Sequence, residues 1–500
     1  MGVVRKQSTL TTLTSFLGGV IGFINQTFLF AKLMDPDEFG LARVLVTIGV
    51  MYAQLSLLGF QNVILRFFPF FENKEKGHYG FLSFGILFIL AGFILTTSLF
   101  LLFQPQVISV YGEKSQLLVT YYRLGMLFGF SYLVYIFFSN YLRSLYDWFI
   151  PRFINEVGLR LLVTVGISLY ALNVLDFHTF IWVYAGMHAI MALGVIIYTA
   201  ARRQLMLPSI RNLQIQQYLK PMLSQAFFAS IGGISIHLVL AIDTLMLASL
   251  GLTPVAVYSL MVNFAAFMLF PFRSLVNLSS PRVAEYWKAQ DIPAIGRIYK
   301  RVSLLGYTSG VWLFFVIWLN LDNVYSLIGK EAYASGKLVF VFIGLARLFD
   351  IISGLNTTIL VTSKAFKYDL LFNLLLLIIS ILTNYYFIFM LDGGVNGAAI
   401  ATMISILLYN VSRVIFVYKL ANIHPFTTGL LKVTALAIVI YLGVSYMPDS
   451  SYPLLDIVWK SSLFTVFFGL TILGFRIAPD LNEFLEVILS RLTRWKSQIF

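Results

Sequence analysis

Ten ionisable side chains sit inside otherwise apolar stretches: Lys32, Arg43, Arg123, Glu156, Arg160, Asp243, Arg273, Arg347, Asp350 and Arg413. A charge inside hydrocarbon is costly, so each marks a function or a buried partner. Seven are basic and three acidic. A cavity built from them is positive and suits an anionic cargo. Arginine adds a planar fork of donors that matches phosphate and carboxylate geometry.

Spacing separates their roles. Glu156 and Arg160 stand i,i+4 and can neutralise each other on one helix face, as a structural pair. Arg347 and Asp350 stand i,i+3 near the middle of a span, where desolvation is most costly; a fixed pair and a gating switch both fit. Lys32 and Arg43 lie near outer helix ends, where they can snorkel, pair with Asp35–Glu38 or reach cargo. Arg123 stands one to two turns into its span, and Arg273 follows Pro271 towards an inner end. Arg413 is also near an inner end, where snorkelling is its expected role. Asp243 binds a coupling proton or cation, or pairs with a base. Asn25, Gln26, Gln54, His237 and Asn263 line a polar path or make interhelical hydrogen bonds.

The elements that must position these groups are transmembrane helices. The 500 residues are 59% hydrophobic and 11% charged, with mean hydropathy +0.85. Fourteen apolar stretches run from 8–33 to 456–475, and Gly80–Phe103 holds no charge at all. Lipid offers the backbone no hydrogen bonds, and the alternating strands of a barrel are absent, so the spans are helices. The fold class is an all-α polytopic membrane protein. Among loop cations, only Lys114, Lys330, Lys337 and Lys460 fall opposite the side that holds the rest, which puts both termini in the cytoplasm. The net charge of +13 is this loop charge and does not point to nucleic acid. With no cysteine, thiol catalysis and cysteine-ligated metals are excluded. The first apolar run is too long for a cleavable signal peptide.

The organisation is repetitive. A six-helix bundle over 1–201 meets a basic connector, 202–221. A second six-helix bundle, 222–420, follows, then two further helices within 421–475 and an amphipathic cytoplasmic tail, 476–500. Leu33–Leu41 and Leu250–Tyr258 are echoing outer turns. Each following helix ends at an Arg/Pro cluster, Arg66-Phe67-Phe68-Pro69 and Pro271-Phe272-Arg273. Parallel repeats of this kind build transporters that alternate access to a central cavity.

Four stretches carry a family resemblance: Phe39-Gly40-Leu41; Ile242-Asp243-Thr244-Leu245-Met246-Leu247 leading to Val257-Tyr258-Ser259; Ser280-Pro281-Arg282-Val283-Ala284-Glu285-Tyr286; and Asn384-Tyr385-Tyr386-Phe387-Ile388 with Gly394-Val395-Asn396-Gly397-Ala398-Ala399-Ile400-Ala401-Thr402. Together they resemble the polysaccharide transporter or oligosaccharide flippase family of the MOP superfamily, whose fold is MATE-like. One departure is Val257-Tyr258, where the family usually has Gly-Tyr.

The resemblance implies a flippase for a polyprenyl-diphosphate-linked oligosaccharide in surface polysaccharide or lipopolysaccharide biosynthesis. It would work by alternating access in the bacterial inner membrane, with glycan polymerase machinery as a possible partner. The substrate-binding candidates are Arg43, Arg123, Arg273, Arg347, Asn25 and Gln26. The coupling or gating candidates are Asp243, which matches the family's acidic position in helix 7, and Asp350, Glu156 and Arg160. No cofactor, metal or catalytic residue is expected. No G-x-x-x-x-G-K-[ST] loop occurs, and an enzyme would want longer outer loops or a His/Asp constellation. A cation-coupled multidrug exporter of the same fold and a peptidoglycan-precursor flippase are the alternatives. The basic excess speaks against the former.

Overall fold

The structure is a computed structural model that describes residues 2–209, 213–450, 452–479 and 482. The tail helix expected after Pro479 lies outside the described residues, as does Arg211 of the connector. Among the described residues, twelve single helices are long and apolar enough to cross a membrane, or fourteen spans if two bent pairs each count once. Counting each bent pair as one span gives the expected fourteen, and no strand occurs among the described residues.

By chain contacts it divides into two compact units, Met1–Leu260 and Met261–Phe500. The first contains α1 (Thr14–Leu33), α2 (Pro36–Leu57), α4 (Gly77–Leu102), α5 (Leu124–Ser144), α6 (Phe149–Ala171), α7 (Phe177–Ala201) and α8 (Gln214–Ala248). Between α2 and α4 lies the shorter α3 (Phe60–Phe71). The bent pair α9 (Leu252–Phe267) and α10 (Leu269–Ala289) begins in the first unit and ends in the second. The second unit continues with α11 (Ile292–Ile328), the bent pair α12 (Glu331–Ser353) and α13 (Asn356–Thr362), α14 (Lys367–Met390), α15 (Gly394–Ala421), α16 (Thr428–Ser445) and α17 (Pro453–Gly474).

Local chemistry sets the helix ends. Asp35-Pro36-Asp37-Glu38 makes a capping box: Asp35 takes the amide three residues on, and Glu38 Oε2 accepts from Asp35 N at 3.0 Å. Pro36 needs no partner for its missing N–H at the first turn. Asp176 caps α7 by accepting from Thr179 N at 3.1 Å, and Asp291 caps α11 by accepting from Ala294 N at 2.9 Å.

Breaks have causes too. Leu58 and Gly59 are both left-handed, at φ 45° and 74°, so one continuous apolar stretch becomes α2 and then α3. The 47° bend between α9 and α10 lies at Phe267–Leu269. Pro271 supplies no N–H to the Phe267 carbonyl there, which removes one rung of the ladder. Two helices exceed the expected spans. At 35 and 37 residues, α8 and α11 run about 52 and 55 Å, well beyond a hydrocarbon core of about 30 Å. Their polar starts, Gln214–Lys220 and Ile292–Arg301, project past it. Part of the polar connector is thus helical.

In the first unit α2 packs against α5 and α8, and α7 against α5. In the second, α12 packs against α15, α11 against α10 and α17, and α14 against α15. Two motif glycines permit close approaches. A Cβ on Gly40 would stand 2.1 Å from the Leu252 carbonyl oxygen, and one on Gly397 2.3 Å from that of Phe387. Each motif residue is small because a backbone presses on it. Large apolar side chains such as Leu240, Leu431 and Val439 remain exposed, which is the expected dress of a lipid-facing surface.

Candidate functional site

The first unit gathers a polar cluster from α1, α2, α5, α6 and α7. Two short π-helical segments shape it, Asn25–Phe30 in α1 and Ile154–Gly158 in α6. An extra residue in a helical turn re-aims side chains and often marks a functional position. Buried Asn25 donates through Nδ2 to the Arg160 carbonyl at 2.8 Å, and its Oδ1 accepts from Thr164 Oγ1 at 2.8 Å. Arg160 pairs through Nη2 with Glu156 Oε2 at 2.9 Å, and its Nη1 donates to the Gly18 carbonyl. The i,i+4 pair foreseen from spacing is present, and it also ties α6 to α1.

Arg43 is placed differently. Its Nη1 donates to Gln26 Oε1 at 2.7 Å. Its Nε is buried and makes no hydrogen bond, and no carboxylate pairs with it among the described residues. Tyr132 and Tyr184 lie close enough to act on its charge, and Tyr132 also feels Arg160 and Glu156. Behind them His188 is buried among Phe128, Tyr132 and Tyr184, with ring centroids 4.8, 5.7 and 5.0 Å away. Its Nδ1 lies 2.9 Å from the Tyr184 carbonyl, which can only accept, so that nitrogen carries the proton.

Sequence reasoning missed Tyr132, Tyr184 and His188. The i,i+4 spacing of Tyr184 and His188 in an apolar helix was the available signal. Of the other candidates in this unit, Asp243 accepts from the Tyr258 hydroxyl at 2.5 Å. Arg123 is exposed at the N-cap of α5, and its side chain makes no hydrogen bond or ion pair among the described residues.

The second unit holds a separate network. Asp350 Oδ1 accepts from Asn410 Nδ2 at 2.8 Å, joining α12 to α15. Arg347 Nη1 reaches Asp350 Oδ2 at a looser 3.3 Å, and its Nε is buried with no hydrogen bond. Arg273, exposed on α10, is near enough to repel Arg347 electrostatically. Arg273, Arg347 and Asp350 are thus brought together.

Arg413 departs from expectation. Instead of snorkelling, it is 2% exposed, pairs with Asp369 Oδ1 at 2.6 Å and donates to the Tyr409 hydroxyl. The Phe372 and Tyr409 rings flank its guanidinium at 5.9 and 4.9 Å. The partner on α14 lies 44 residues away in sequence, beyond the reach of any helical-spacing argument.

Residues 226–386 match the MatE family model. No curated protein sequence matches the chain. Among solved structures the chain is similar to the lipid II flippase MurJ in an inward closed conformation, with TM-score 0.71 and 12% identity over 93% of this chain and 99% of that one. It is also similar to the inward-facing conformation of a multidrug resistance MATE family transporter of the MOP superfamily. That match has TM-score 0.56 and 12% identity over 86% of this chain and 99% of the other. The outward-facing conformation of such a transporter gives TM-score 0.51 at 12% identity, over 86% and 97%. Identities this low speak to fold alone. The chain is a multi-pass membrane protein whose residues 226–386 match the MatE family model and whose fold is that of the solved MurJ and MATE structures, as the resemblance in its motifs implied.

Proposed function

We propose that this protein is a flippase for a polyprenyl-diphosphate-linked oligosaccharide, working by alternating access in a bacterial inner membrane with both termini in the cytoplasm. One observation carries the reading. Arg43 keeps a half-buried guanidinium within a membrane-spanning helix, with a neutral partner and an unused buried donor. Removing a cation from water without a counter-charge costs several kcal/mol, so retaining one there implies a visiting anion. Arg160 and Arg413, by contrast, each have a carboxylate of their own.

The roles then divide. Arg43 holds a diphosphate oxygen, with Gln26 orienting its fork and Asn25 fixing the α1–α6 contact beneath. Within the second unit, Arg273 and Arg347 form a positive group of their own, where Asp350 competes with an anion for Arg347. Glu156 and Arg160 stabilise the site. Asp243 is the coupling candidate, with Tyr258 as its proton-donating partner. Outward movement of an anion is favoured by about 2.3 kcal/mol per charge per 100 mV of inside-negative potential, so no nucleotide hydrolysis is needed.

A peptidoglycan-precursor flippase would use the same diphosphate chemistry, and likeness to MurJ supports it equally. A cation-coupled drug exporter fits less well, because an unpaired arginine repels cationic drugs. The test is complementation of bacteria lacking either a surface-glycan flippase or a peptidoglycan-precursor flippase. The account expects rescue of glycan export by wild type and loss of rescue by Arg43→Gln at equal protein level. Rescue of only the peptidoglycan strain would move the cargo assignment, and drug efflux with neither rescue would overturn it.

A further inference from the structure

Within the first unit a cavity of about 830 Å³ opens beside the Arg43 cluster, and Glu156 belongs to both. Its size falls in the range of sites that take drug-sized ligands. Its walls combine aromatic rings, Tyr135 and Trp148, with the Asn140 amide, and exposed Arg143 and Arg152 also line it. Asn140 spends one N–H on the Ile136 carbonyl at 2.8 Å, which leaves its other N–H and its oxygen for a ligand.

The turn that presents Trp148 is pinned. Asp147 accepts from the Tyr198 hydroxyl at 2.9 Å and from Arg202 Nε at 2.8 Å, while its own amide donates to the Leu142 carbonyl at 2.9 Å. The backbone that carries the indole is therefore fixed. An aromatic face and a donor–acceptor amide lining one cavity are the chemistry that recognises a pyranose ring, whose C–H face packs on the aromatic ring while its hydroxyls bond the amide. A flat apolar drug would not use Asn140, and a bare phosphate would not use Trp148.

We propose that this cavity is a glycan subsite, taking the sugar rings attached to the diphosphate, with Trp148 as the stacking face and Asn140 as the polar reader. The inference rests on the flippase reading and assigns its carbohydrate half.

The test uses the purified full-length protein and two probes: polyprenyl diphosphate with and without an attached disaccharide. Wild type binds the glycosylated probe more tightly. Trp148→Ala and Asn140→Ala each remove about tenfold of that preference, leave affinity for the bare diphosphate unchanged and unfold at the wild-type temperature. Trp148→Phe keeps most of the preference. Arg43→Gln weakens both probes together. The subsite is overturned if Trp148→Ala weakens both probes equally, or if the disaccharide adds nothing to wild-type affinity. In the latter case binding of the bare probe leaves the flippase reading standing, whereas binding of neither probe removes both.

Discussion

Arg43 Nη1 and Gln26 Oε1 are joined at 2.7 Å, across the contact of α2 with α1, with no carboxylate on either side among the described residues. A neutral amide orients the guanidinium without cancelling its charge. Function and stability should therefore respond in opposite directions at this position. Arg43→Gln is expected to cut affinity for polyprenyl diphosphate by roughly ten- to hundredfold, the scale of a lost charge-assisted hydrogen bond, while leaving thermal stability equal or higher. Titration of the purified variant alongside its melting curve checks both halves.

Arg160 makes the opposite case. Its pair with Glu156 satisfies a charge whose other side-chain hydrogen bond, among the described residues, goes to the neutral Gly18 carbonyl. Glu156→Gln alone should lower the melting temperature by several degrees. Glu156→Gln with Arg160→Gln should recover most of it, because the double variant buries no unmatched charge. Equal losses in the single and double variants would show that the pair is not what the position needs.

Arg413 is 2% exposed and paired with Asp369. Breaking such a pair from one side costs about 3–5 kcal/mol, so Asp369→Asn should destabilise strongly in a detergent unfolding assay. A snorkelling arginine would make that substitution nearly silent.

Arg347 holds Asp350 at 3.3 Å, whereas Asn410 holds it at 2.8 Å. If cargo competes with Asp350 for Arg347, Asp350→Asn should tighten diphosphate binding and slow turnover. An affinity and a transport rate measured on the same preparation separate this from simple misfolding, in which both fall.

The packing of α15 on α14 depends on Gly397, where a Cβ would lie 2.3 Å from a backbone oxygen that has little room to retreat. Gly397→Val should cost about 1–3 kcal/mol through overpacking, visible as lower yield and a lower melting temperature.

Much of this was legible in the chain. Apolar length located the spans, loop charge oriented them, and the spacing of Glu156 with Arg160 and of Arg347 with Asp350 announced their pairs. What stayed hidden has one physical cause. When every face of a helix is apolar, hydrophobic periodicity cannot fix its rotation, so tertiary partners are invisible. Hence Arg413 read as a snorkelling end residue rather than the partner of Asp369, and His188 as one of five scattered histidines rather than the back wall of the Arg43 cluster. The π-helical turn at Asn25 and the break at Leu58-Gly59 depend on backbone geometry that composition does not encode.

The central claim is that Arg43 receives the anionic part of the cargo, and translocation in proteoliposomes tests it most directly. A fluorescent polyprenyl-diphosphate glycan would be followed from one leaflet to the other, with and without an imposed potential. Wild type should flip it, faster when the potential favours outward movement of negative charge, and Arg43→Gln should not, with the variant inserted in equal amount. Undiminished flipping by Arg43→Gln would contradict the account.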